Sequence, residues 1–185
     1  MNKSIVFSNL FAFGLMIGGA QAAEHAKSKN AEPGVSGTMN LKTAESSIKW
    51  IGKKVVGNQH HGTIDFKSGH FMVSDGIVTG GRFDVDMKSI SDKDLDSEEM
   101  RAKLEGHLKS DDFFGVNTFP VGSFSITKAV HNAKAGSSKP NYKISGTMKL
   151  KGISQKISFP ARIDIIDGVL TASAKLVFDR SKFDV

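Results

Sequence analysis

Between Lys143 and Lys151 every second residue, Ile144, Gly146, Met148 and Leu150, is apolar or glycine, and lysines and hydroxyls fill the places between. A period of two belongs to a β-strand with one dry face and one wet face. The alternation recurs in Ile157, Phe159, Ala161, Ile163 and Ile165, and again in Leu170, Ala172, Ala174, Leu176 and Phe178. Asp167-Gly168 separates these two runs, and Asp75-Gly76 separates Phe71–Val73 from Ile77–Met87. Such pairs accept the positive φ angles of tight hairpins, so the strands they join are antiparallel neighbours. Further strands are expected at Ser47–Gly52, Gly62–Lys67 and Val121–Val130. That makes about eight, a number that can close into an up-and-down barrel. No segment repeats at a fixed longer period, which sets aside propellers and solenoids.

An antiparallel sheet that is wet on one side must bury the other, and closing it on itself is the simplest way. The expected fold is an all-β, mainly antiparallel barrel. Its inward set is Ile64, Phe66, Phe83, Val85, Phe124, Ile126, Ile144, Met148, Leu150, Phe159, Ile163, Leu176 and Phe178. Taken alone, such a set reads as a packed core sooner than as a cavity. Gly122, Gly146, Ala161, Ala172 and Ala174 share its phase and leave volume that larger residues would fill, which favours a cavity. One helical segment interrupts the strands. Ser97 is its N-cap, Glu98 and Glu99 oppose the positive end of its dipole, and Met100, Leu104 and Leu108 repeat every four residues. A lone amphipathic helix among strands is expected to cover one barrel opening, with Met100, Leu104 and Leu108 facing inward.

Lys3, the apolar run Ile5 to Ala20 and the small-residue site Ala20-Gln21-Ala22 read as a secretory signal peptide, residues 1–22, cleaved before Ala23. Removing it takes away one lysine and no acid, so the net charge falls from +6 to +5. With no cysteine, disulfides and a lipoprotein anchor are excluded. Residues 23–42 are small, polar and aperiodic and are expected to form a disordered leader to a single domain, 43–185. The positive balance allows contact with a membrane surface. Without a basic-aromatic motif, nucleic acid is not expected as a partner.

Several ordered motifs then resemble the YceI-like family: Trp50-Ile51-Gly52, Gly57 with His61-Gly62, Gly80 through Met87, the helix with His107 through Phe114, Phe119-Pro120, Gly146-Thr147-Met148 with Lys151-Gly152, Phe159-Pro160, and Asp179-Arg180. The resemblance runs over roughly residues 43 to 185. It implies a periplasmic, non-enzymatic, lipocalin-like extended eight-stranded barrel that binds a polyisoprenoid or similar amphiphile, such as an isoprenoid quinone, and needs no cofactor. Family members usually continue with a further strand where this sequence reads Phe183-Asp184-Val185, so either truncation or an exposed edge is expected, and an exposed edge invites a homodimer.

On this reading Phe66, Phe83, Val85, Leu104, Leu108, Phe124, Ile126, Ile144, Met148, Phe159, Ile163, Leu176 and Phe178 line the lumen, and Arg101, His107 and Arg180 are candidate head-group contacts. Arg180 also fits a salt bridge at the barrel rim. Two other readings stay open. One is a periplasmic stress or interaction protein with a solid core; the other is a hydrolase or isomerase using His107 with Asp111 or Asp112. No nucleophile with an activating base accompanies those residues, and a His107–Asp111 hydrogen bond fixing the helix exit explains the spacing. No metal is expected. His60 and His61 point to opposite strand faces, no carboxylate stands at a spacing that completes a set with them and His70, and Asp92-Lys93-Asp94-Leu95-Asp96 departs from a calcium loop at Ser97 and Lys103, leaving a solvated loop.

Overall fold

The computed structural model describes residues 4–12, 34–53 and 59–185, the first of these as backbone alone. The strands are β1 Ser4–Ala12, β2 Gly37–Asn40, β3 Ile48–Lys53, β4 Gln59–Ser74, β5 Ile77–Asp92, β6 Val121–His131, β7 Tyr142–Leu150, β8 Ile153–Ile166 and β9 Val169–Asp179, with helix α1, Glu98–Lys109, between β5 and β6. All pairings are antiparallel. The order β4-β3-β1-β9-β8-β7-β6-β5 returns to β4 through the β4–β5 pair, so eight strands complete a circuit, and β2 adds to the far end of β4. This is the lipocalin-like barrel with one helix that the alternation and the family resemblance imply.

The hairpin turns form for the expected reason. Asp75 and Gly76 have φ of 48° and 73°, and Asp167 and Gly168 of 52° and 71°. Lys151-Gly152, at 47° and 77°, is a third turn of the same kind between β7 and β8.

Three expectations change. Gly62–Lys67 and Phe71–Val73 are parts of one 16-residue strand, β4, which runs through Ser68-Gly69-His70 with register shifts against β5. The disordered leader does not extend to residue 42: β2 pairs with His70–Val73, and Met39 and Leu41 are buried. Residues 23–33 lie outside the described residues. In the full-length chain Ser4–Ala12, within the apolar run read as a signal, form β1, paired with β3 and β9, and the signal reading stands as an expectation. Finally, Met100 is 53% exposed, so the inward stripe of α1 is carried by buried Leu108 and half-buried Leu104. Ser97 does cap α1, accepting from the Met100 amide at 3.4 Å.

Strand directions sort the two ends of the barrel. The starts of β4, β6 and β8 and the ends of β5, β7 and β9 share one end, which carries α1, the Asp111–Phe119 segment and the C-terminal 3₁₀ helix Arg180–Phe183. At the other end, buried Asn141 makes two side-chain bonds to Ile163, donating to its carbonyl at 2.7 Å and accepting from its amide at 2.8 Å. There too the Tyr142 hydroxyl accepts from the Val78 amide at 3.3 Å.

Candidate functional site: an apolar cavity

Small residues decide where the barrel is hollow. At Gly146 the room is already used: a Cβ would meet the Ser125 carbonyl and stand 2.5 Å from the Phe124 ring. At Gly122 a Cβ would likewise stand 2.8 Å from Leu150 Cδ2 and 3.0 Å from Met87 Sδ, whereas Ala161, Ala172 and Ala174 line a cavity. It encloses about 1020 Å³ not occupied by atoms, its open mouth included.

Phe66, Phe83, Val85, Phe124, Ile126, Ile144, Met148, Phe159, Ile163 and Leu176 all line it, drawn from six strands. Aromatic contacts hold the wall: Phe83 meets Phe71 edge-on at 4.8 Å and Phe66 at 6.3 Å, and Phe124 tilts against Phe159 at 5.4 Å. The polar side chains on the wall are the hydroxyls of Ser123 and Ser173. Such a surface offers almost no directional chemistry; what it can do is take apolar matter out of water.

Three expected lumen residues lie elsewhere. Leu104 and Leu108 pack α1 onto the core without reaching the cavity wall, and Phe178 is capped edge-on by buried Phe183 at 5.4 Å. Phe114 reaches the cavity from the helix-bearing end in their place. Its Phe-Phe neighbour stands between two expected head-group residues: the Arg180 guanidinium lies 4.8 Å above the Phe113 ring, and His107 meets the same ring at 5.5 Å. Phe113 in turn packs on Phe114 at 5.0 Å. Arg101 reaches back to the Asp96 carbonyl at 3.5 Å.

The helix exit is not held as expected. Among the described residues no hydrogen bond joins His107 to Asp111 or Asp112, because α1 ends at Lys109 and the four-residue spacing no longer implies one face. Ser110 closes the helix, its amide donating to the Gly106 and His107 carbonyls.

The reading of Asp92–Asp96 as a solvated loop is also corrected. Asp92 is 1% exposed, and its Oδ1 accepts from the Asp94 amide at 3.2 Å and the Leu95 amide at 2.8 Å. Long strands bring this corner to the start of β4, where His60 Nδ1 lies 3.0 Å from Asp94 Oδ2. Burial pushes the Asp94 carboxyl up, but the His61 amide, Asp92 and His60 together outweigh it and hold the group below its usual value. Sequence spacing missed this meeting of His60, Asp92 and Asp94. The hairpin folded about Asp75-Gly76, which sets Gly62 opposite Asp92, is the signal that brings the start of β4 to this corner.

An antiparallel barrel around an apolar cavity, one end covered by a helix, defines a lipocalin-like class of protein. A sequence profile of the YceI-like domain matches residues 39–185, and the chain belongs to that family, which is known for binding polyisoprenoids. The crystal structure of BcnA from Burkholderia cenocepacia is similar in fold, with a TM-score of 0.58 over 78% of this chain and 84% of that one at 19% identity. No curated protein matches the sequence.

Proposed function

We propose that this protein is a non-enzymatic periplasmic carrier that holds one polyisoprenoid or similar long-chain amphiphile, such as an isoprenoid quinone, in the barrel. The observation that carries this reading is the cavity wall, where Ser123 and Ser173 supply the only polar side chains among the lining residues. Magnitudes then select for chain length. Each buried methylene contributes about 0.8 kcal/mol, so ten contribute about 8, inside the range of about 4–15 kcal/mol that association costs. Around twenty contribute about 16 kcal/mol and exceed it. A wall without directional groups therefore holds long chains and releases short ones.

The polar end of the ligand belongs at the helix-bearing end, where Arg180 and His107 flank Phe113 and Phe114 enters the cavity. Export follows from the apolar run and Ala20-Gln21-Ala22, with the mature chain starting at Ala23. Organic extraction and mass spectrometry of protein purified without detergent tests the assignment. A long-chain lipid at near-stoichiometric yield is expected. Protein that stays empty in cells and takes up no added polyisoprenoid would overturn it in favour of a solid-core interaction protein.

A further inference from the structure

The corner formed by His60, Asp92 and Asp94 has no part in the cavity, and it is incompletely satisfied. One imidazole nitrogen and two carboxylate oxygens, one from each residue, lie within 4.8 Å of one another. His60 Nδ1 and Asp94 Oδ2 are 3.0 Å apart. Asp92 has used Oδ1 on two backbone amides, while its Oδ2 is buried and without a hydrogen-bond partner. A carboxylate oxygen sealed from water and left unpaired is costly. His61, 54% exposed, approaches the other oxygen of Asp94 at 3.6 Å and donates its backbone amide to the same atom. Asp94 is thus held from behind with Oδ2 presented forward.

We infer that His60, Asp92 and Asp94 form a binding site for one divalent first-row transition ion. Donors around such an ion, with bonds of about 2.0–2.2 Å, stand about 3.3–3.5 Å apart. The His60–Asp94 pair, at 3.0 Å, would widen slightly to reach that spacing, and the remaining pairs, within 4.8 Å, would close by at most about 1.5 Å. The donor set also chooses the ion. An imidazole with two carboxylates suits Zn²⁺, Mn²⁺ or Co²⁺, whereas Ca²⁺ seeks a shell made wholly of oxygen. Three protein donors leave room for water to complete the shell.

The site's position gives the ion a mechanical role. His60 lies at the start of β4, Asp92 ends β5, and Asp94 lies in the connector to α1. The Asp92 amide already donates to Glu105 Oε1 of α1 at 2.9 Å. A bound ion cross-links the barrel rim to the root of the helix that covers it, so occupancy should stiffen that connector.

The test uses untagged protein dialysed against chelator, then titrated calorimetrically with Zn²⁺ and, separately, Ca²⁺. One Zn²⁺ per chain is expected, with Ca²⁺ at least 100-fold weaker and Co²⁺ giving a visible absorption band from the same site. Asp92→Asn keeps the size of the side chain and its bonds to the backbone amides, and should weaken Zn²⁺ at least tenfold. His60→Gln should do the same and shift the Co²⁺ band. His70→Gln, outside the cluster, should change neither. Circular dichroism confirms that each variant is folded, and His60→Gln carries the test should Asp92→Asn fail. Absence of Zn²⁺ binding at millimolar concentration overturns the site, as does unchanged affinity in folded His60→Gln.

Discussion

The Phe124 ring lies over Gly146 and fills the place where a Cβ would stand, its Cζ 2.5 Å from that point. The same ring tilts against Phe159 at 5.4 Å, and both line the cavity. Met148 pairs with Phe124 across β6 and β7 and also lines the cavity. Met148→Trp should thus add bulk to empty space. The delipidated variant is expected to melt within a few degrees of wild type while copurified long-chain lipid falls by more than half. In a solid core the same change overpacks and costs about 1–3 kcal/mol. Melting curves and extracted lipid, measured side by side, separate the two.

Asn141 is the polar seam of the opposite barrel end. It is fully buried, and its amide completes both bonds to the Ile163 backbone. Asn141→Ala leaves a carbonyl and an amide without those partners, each worth about 1–3 kcal/mol when buried. A loss of about 2–4 kcal/mol in urea unfolding is expected. A loss below 1 kcal/mol would mean that water replaces the side chain there.

Much of this architecture was legible because the chain alternates faithfully. β7, β8 and β9 follow the period of two, and Ala161, Ala172 and Ala174 marked open volume before any coordinates did. What escaped depends on register. The long strand β4 was hidden because Ser68-Gly69-His70 looks like a break, yet Leu41 and Phe83 cover Gly69, and a shifted register accommodates it. His60 and Asp92 meet only because β4 and β5 continue their pairing to Gly62 opposite Asp92. The outward turn of Met100 was equally invisible, since four-residue spacing marks a face without saying how far it stays in contact.

The packing of α1 rests on Leu108, 7% exposed, more than on Met100. Leu108→Asp buries a charge without a partner and should cost about 3 kcal/mol, or detach the helix. Met100→Asp should cost under about 0.5 kcal/mol. Equal losses in the two variants, read from thermal unfolding, would contradict this placement of the helix face.

His131 stacks on Tyr142 at 4.7 Å, and its Nε2 is buried without a hydrogen-bond partner. Burial lowers its pKa below the usual 6.5. The unfolded chain then binds the proton more readily than the folded one, so stability is full above pH 6.5 and falls as the pH drops from 6.5 toward the lowered folded value. His131→Gln should flatten that slope. Urea midpoints for both proteins between pH 7.5 and pH 5 measure it; parallel curves would assign the slope to other groups.

The strand β1 raises the last question. Its residues lie between β3 and β9, with Ser4 to Ala12 in register against Asp179 to Thr171. The same residues form the apolar run expected to be removed on export. A chain beginning at Ala23 would lose that neighbour, leaving the facing backbone groups of β3 and β9 on open edges. Hydrogen exchange on the precursor and on protein recovered from the periplasm tests this directly, with intact mass fixing the start. Faster exchange in Thr171–Asp179 of the processed protein is expected, while β7, paired on both sides in either form, keeps its protection. Equal protection of β9 in both would mean that another strand takes the place of β1 after cleavage.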